Sequence, residues 1–131
     1  DMKGLRGGLK PITTGLATDV AGGSSLSMFA TMRAAYEIAQ LQGYSLHPIK
    51  NWYLASVGAA KTMRIEDRIG NIASGMEADI TVIDLQSTPL IARRVSRAED
   101  FWDILFAQII LADDRAIKAT YASGELVYES L

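Results

Sequence analysis

No cysteine occurs anywhere in the 131 residues, and histidine occurs once, at His47. The first absence excludes a disulfide framework, a thiolate metal site and a cysteine nucleophile. The second restricts metal chemistry, because a catalytic zinc centre ordinarily takes three protein ligands and this chain offers one imidazole. Apolar runs stay well short of the roughly 18 to 20 residues of a membrane span. The N-terminus lacks the charged, apolar and small-residue succession of a secretory signal. The chain therefore reads as cytoplasmic, with no membrane partner. Positive charge is also missing: the formal net charge is −2 and the basic residues are scattered, which gives no footprint for a phosphate backbone. Nucleic acid is not an expected partner.

What is present has the balance of a folded protein, with 49% hydrophobic and 21% charged residues in a length that suits one modest core. Asp1 to Pro11 is rich in Gly, Lys and Arg without apolar period and reads as a loose leader. Ile12 to Thr18 is short, apolar and Thr-rich, the pattern of a buried strand ending at Asp19. The loop Gly22-Gly23-Ser24-Ser25 follows, and Phe29, Met32, Tyr36 and Ala39 then recur at helical spacing until Gly43 stops them. Pro48 opens a second helix, with Ile49, Trp52, Tyr53, Ser56, Val57 and Ala60 forming one expected packed face.

Beyond the polar stretch Arg64 to Arg68 the pattern changes. Ala78 to Leu85 is β-branched and predicts a strand. Ser96 and Glu99 form a capping-box signature before a helix over 98–112, carried by Phe101, Trp102, Leu105, Phe106 and Ile109. Arg115 to Tyr121 and Glu125 to Glu129 flank Ala122-Ser123-Gly124 as a hairpin or short turn. One strand precedes two amphipathic helices, so the sheet they should cover is mostly absent. The fold class is α/β, and the chain reads as incomplete.

Three stretches carry a family resemblance. Gly15-Leu-Ala-Thr-Asp-Val-Ala-Gly-Gly-Ser-Ser-Leu-Ser-Met-Phe29 resembles the end of the last barrel strand in amidohydrolases, and its run after Asp19 is similar to guanine deaminases. Asp67-Arg-Ile-Gly-Asn-Ile-Ala-Ser-Gly-Met-Glu-Ala-Asp-Ile-Thr-Val-Ile-Asp84 resembles the superfamily-wide segment re-entering a small β-sandwich. The third block, from Asp100 through Phe101, Trp102, Asp113, Asp114 and Arg115 to Gly124 and Tyr128, again resembles guanine deaminases.

The resemblance implies the C-terminal part of a metal-dependent hydrolase (β/α)8 barrel plus part of its companion β-sandwich. Residues 1–11 would be a flexible leader, 12–66 the last strand-helix units of the barrel, and 67–131 sandwich segments with the intervening helix. In the complete enzyme, zinc would be the cofactor and guanine the substrate, converted to xanthine and ammonia. Asp19 would be both metal ligand and catalytic proton carrier. The family's His-x-His pair, its further histidines and its proton-transferring Glu have no counterpart here, and no substrate-binding residue carries over. The chain alone is therefore expected to bind no zinc and to be inactive. An alternative is a non-catalytic stand-alone binding or oligomerisation module derived from such an enzyme. Either way, the helix faces around Phe29, Met32 and Tyr36, and around Ile49, Trp52 and Val57, lack their barrel strands, so a homo-oligomer or a repacking of these helices is expected.

Each candidate also has a plainer reading. Read from the residues alone, Asp19 is more readily a turn or N-cap aspartate. The Gly-Gly-Ser-Ser loop lacks the spacing and the Lys of a phosphate loop. His47, before Pro48, reads as a surface or capping residue. Trp52, Phe101, Trp102 and Phe106 read as core rather than as a stacking platform. Asp113 and Asp114, with Asp79 or Asp84, read as solvated turn carboxylates, and Arg64, Glu66, Asp67 and Arg68 as a solvated connection.

Overall fold

The structure, a computed structural model, describes residues 12–130; the expected leader 1–11 lies outside them. Helix α1 spans Met28–Leu41. It ends because Gly43 takes the left-handed conformation at φ 68°, letting the Tyr44 N–H reach the Ala39 carbonyl and the Gly43 N–H the Gln40 carbonyl, both at 2.9 Å. These two bonds satisfy carbonyls that a helix end otherwise leaves unpaired.

The second expected helix is two. Helix α2 is Pro48–Ala55 and α3 is Val57–Met63, separated at Ser56 with φ −125° and ψ −95°. The cause is a competing donor. In an unbroken helix the Leu54 carbonyl would accept from the Gly58 N–H, but here it accepts the Leu16 N–H at 2.8 Å. The Ser56 hydroxyl also donates to the Trp52 carbonyl at 2.9 Å, a bond that bends helices. Gly15 makes the approach possible: a β-carbon there would sit 2.7 Å from the Ala59 nitrogen, and one on Gly58 3.2 Å from the Thr14 carbonyl.

For the same reason 12–18 is not a strand. Its residues pair with no neighbouring strand, and the segment is docked against the broken helix, with Ile12 68% exposed rather than buried. Strand periodicity in the sequence requires ladder partners, and none is supplied by residues 12–130. The buried side of α2 and α3 also differs from the expected face. Asn51, Leu54, Gly58 and Ala60 are buried, Ser56 and Ile49 are exposed, and Trp52 and Tyr53 lie half-buried at the flanks.

Strand β1, Ile80–Ile83, forms as expected and pairs antiparallel with β2, Ile117–Ala122, which pairs antiparallel with β3, Glu125–Glu129. The β2–β3 connection is the two-residue turn Ser123-Gly124, with φ 49° and 84°, the left-handed pair that suits the twist of a hairpin. Asp79 steadies it, its carboxylate accepting the Ser123 N–H at 2.8 Å.

Helix α4, Pro89–Val95, lies where no helix is predicted; Thr88 caps it by accepting the Ile91 N–H, and Pro89 occupies its first position. Helix α5, Phe101–Leu111, matches the expected span but not the expected cap. Asp100 accepts the Asp103 N–H at 2.9 Å and Asp103 returns the bond to the Glu99 N–H at 3.2 Å. Ser96 instead ends α4, donating its hydroxyl to the Arg93 carbonyl.

The main core joins Phe29 and Met32 of α1 to Ile91 of α4, Ile109 of α5, Ala112 and Ala116. The face bearing Phe29, Met32 and Tyr36, expected to need a cover in place of its barrel strands, finds one within the chain. Phe29 and Met32 are buried by the later helices, and Tyr36 packs edge-on against Phe106 with ring centroids 5.0 Å apart. Each large apolar side chain so buried contributes about 1.5 to 3 kcal/mol. Two buried amides tie elements together: Asn51 of α2 donates to the Met32 carbonyl of α1 at 2.8 Å, and Gln108 of α5 to the Leu85 carbonyl beyond β1 at 3.1 Å. A second cluster, Ala39, Leu46 and Leu54, seals the other end of α1 against α2.

Candidate functional site

Asp19 stands where the docked segment turns toward α1. Its backbone is left-handed at φ 52°, as is that of Ala21 at 71°. Non-glycine residues adopt this region at a cost, and such positions concentrate at functional sites. The turn is closed by the Asp19 carbonyl, which accepts the Gly22 N–H at 2.9 Å and the Gly23 N–H at 2.5 Å. Those two donors are thereby committed within the turn, which disposes of a phosphate-cradling loop. Downstream, Ser25 accepts the Ser27 N–H at 3.0 Å and leads into α1. Asp19 itself is exposed.

The other titratable candidates stand apart from one another chemically. His47 caps α2, its Nδ1 accepting the Ile49 N–H at 3.3 Å, and its ring meets Trp102 edge-on at 5.8 Å; the surface or capping reading holds. Asp113 caps the short 3-10 turn Asp114–Ala116 and pairs with Arg115 at 2.6 Å. Hydrogen bonding from the Arg115 guanidinium holds the Asp113 carboxyl below the usual carboxylate range. Asp84 accepts the Gln86 N–H at 2.8 Å. Arg68 pairs with Glu77 at 2.6 Å in the solvated connection. Among the described residues, no group of three or more His, Asp or Glu converges on a point that could hold a metal ion. One exposed carboxylate is an incomplete donor set for zinc, so residues 12–130 do not fit that ion by themselves.

The aromatic residues divide. Trp52 packs edge-on against Phe29 at 6.1 Å, and Phe106 is half-buried. Phe101 and Trp102 are 56% and 41% exposed, which corrects their reading as core: they sit in the first turn of α5, where the helix projects past its neighbours.

A cleft of about 1020 Å³ lies between the start of α1, the α2–α3 pair and the sheet, walled by residues such as Leu26, Phe29, Trp52, Met63, Ile72 and Ile80. Its lining is mainly apolar, and Leu26, Met63 and Ile72 are 76%, 62% and 80% exposed. Of its polar groups, Asp79 already serves the hairpin turn. The cleft has the make-up of an uncovered packing surface rather than of a pocket with convergent polar groups.

The sequence reading missed the buried amides of Asn51 and Gln108 and the Thr88 cap. Polar side chains within a helical pattern give no sign of being inside. Thr88-Pro89 before an apolar residue was a signal that could have been used.

The model of the amidohydrolase family matches residues 3–127. The chain is 41% identical over 120 residues to guanine deaminase of Escherichia coli (strain K12), covering 92% of this chain and 27% of that protein. It is 28% identical over 124 residues to guanine deaminase of Dictyostelium discoideum, covering 88% and 27%. The solved structure of E. coli guanine deaminase superposes with a TM-score of 0.89 at 40% identity, covering 92% of this chain and 28% of that one. The chain thus spans just over a quarter of the length of the curated relatives it matches.

Proposed function

Given that the chain belongs to the amidohydrolase family, we propose that it is the C-terminal segment of a cytoplasmic, zinc-dependent aminohydrolase that converts guanine to xanthine and ammonia. Residues 12–66 then supply the last strand-helix units of a (β/α)8 barrel, and 67–131 part of the companion β-sandwich. The observation carrying this reading is the agreement in sequence and shape with E. coli guanine deaminase over nine-tenths of the chain. Asp19 is the residue of the described set with chemistry to offer. Its carboxylate is exposed at the tip of a segment that continues into a left-handed turn; in this reading it holds a proton at the reacting centre of the complete enzyme and passes it toward the departing amine. The remaining donors and the groups that read guanine come from outside residues 12–130, and the apolar cleft is the surface against which that further protein packs.

The test is a chimera in which residues 12–130 replace the matching segment of E. coli guanine deaminase. Ammonia release from guanine by the chimera, falling about a thousandfold or more in Asp19→Asn with an unchanged thermal midpoint, is the expected result. A folded but inactive chimera overturns the deaminase reading, and an active Asp19→Asn removes Asp19 from the chemistry. The 131-residue chain by itself is expected to release no ammonia and to retain no stoichiometric zinc in metal analysis. Stoichiometric zinc together with ammonia release would show that the chain is a catalyst in its own right.

A further inference from the structure

Glycine at position 22 is not explained by its backbone. Gly22 is not among the residues with a left-handed φ, so no left-handed backbone demands glycine there. What a side chain would meet is another matter. A β-carbon on Gly22 would lie 2.8 Å from Oδ2 of Asp19 and 3.2 Å from both its Cγ and its Oδ1. The three nearest atoms thus all belong to one carboxylate. These distances fall inside the roughly 3.5 to 4.0 Å at which non-bonded heavy atoms come to rest. Gly23 presents a different case, because its β-carbon would collide with the backbone carbonyl of Thr18.

We propose that Gly22 is a positioning residue for the Asp19 carboxylate: by lacking a side chain it leaves the space over the turn in which that carboxylate lies. This rests on Asp19 being the chain's contribution to the active site. The mechanics follow from the bonds already described. Gly22 and Gly23 both donate to the Asp19 carbonyl, so the backbone of residue 19 is held from below while its carboxylate lies above Gly22. A methyl group at 22 enters that space. The carboxylate is the free end of two torsions, whereas the turn is tied by two hydrogen bonds, so the side chain moves and the turn stays. Rotation about χ2, a broad torsion in Asp, moves the oxygens but leaves Cγ 3.2 Å from the added carbon, so relief of that contact falls on χ1.

The experiment uses the 131-residue chain labelled with 13C and 15N. Three-bond couplings from Asp19 Cγ to its own backbone nitrogen and carbonyl carbon report χ1. One dominant well is expected in the parent chain and a different one in Gly22→Ala, with the backbone chemical shifts of residues 19–27 close to the parent's. Ser24→Ala, which adds no bulk to the same turn, leaves the couplings where they were. In the chimera, Gly22→Ala then lowers kcat about 10- to 100-fold at unchanged KM, the scale of a misplaced reacting group. Couplings that are averaged in the parent, or identical in parent and Gly22→Ala, overturn the proposal. So does a Gly22→Ala chain that loses the turn or fails to fold, since the backbone is then what requires glycine. The couplings need neither metal nor substrate, so they stand or fall apart from the deaminase reading. An inactive chimera sinks that reading alone, and an unmoved rotamer sinks this one alone.

Discussion

Arg64 closes α3 with φ 61° and ψ 42°, a left-handed residue at the C-cap. The Ile65 N–H beyond it reaches back to the Ala60 carbonyl at 3.1 Å, so the position is fixed by the cap and glycine would fill it with less strain. Arg64→Gly is expected to raise stability by about 1 kcal/mol, read as a higher urea midpoint at unchanged slope; a lower midpoint would mean that the side chain contributes more than its backbone costs. Asp113 gives a prediction with a pH sign. Its carboxyl is lowered by Arg115, so its contribution is complete above the ordinary Asp value of about 3.9 and is lost as pH falls through its lowered folded value. The stability difference between the parent chain and Asp113→Asn should be greatest near neutrality and close in acid. Because the pair is solvent-exposed, the difference will be small. A gap that widens on acidification would contradict the assignment.

At the scale of elements, the two caps that the sequence confuses can be separated by mutation. Asp100→Ala is expected to cost about 1 kcal/mol, as loss of an N-cap does, whereas Ser96→Ala, at the exposed end of α4, should cost a few tenths. Equal losses in thermal melts would restore Ser96 to the α5 cap. Helix α1, the β1 strand, the α5 span and the Ser123-Gly124 hairpin were legible because each is set by local chemistry: apolar period, β-branching, a turn pair. The unpaired, docked conformation of 12–18 and the helix break at Ser56 were not, because both depend on what Leu16 and Leu54 do to each other across nearly forty residues. Asp19 stood out as a candidate through resemblance and by its place before the Gly-Gly loop. Its relation to Gly22 was not, since a missing β-carbon has no period and no charge.

For the whole molecule the open question is what covers the cleft. At about 25 cal/mol per Å² of apolar surface, Leu26, Met63 and Ile72 left in water forfeit several kcal/mol, a large share of the roughly 5 to 15 kcal/mol that holds a domain together. The isolated chain is therefore expected to associate through this surface, giving more than the monomer mass in light scattering at micromolar concentration, and Ile72→Asp should shift it toward monomer. A monomeric parent chain under those conditions would count against it. The core described above has a temporal side. Met32 and Phe29 are covered by Ile91 and Ile109, which leave the ribosome well after α1. At about 5 to 20 residues per second, α1 waits on the order of ten seconds for its cover. During that interval its apolar stripe is a binding site for chaperones, so the nascent chain should depend on them most before α5 emerges.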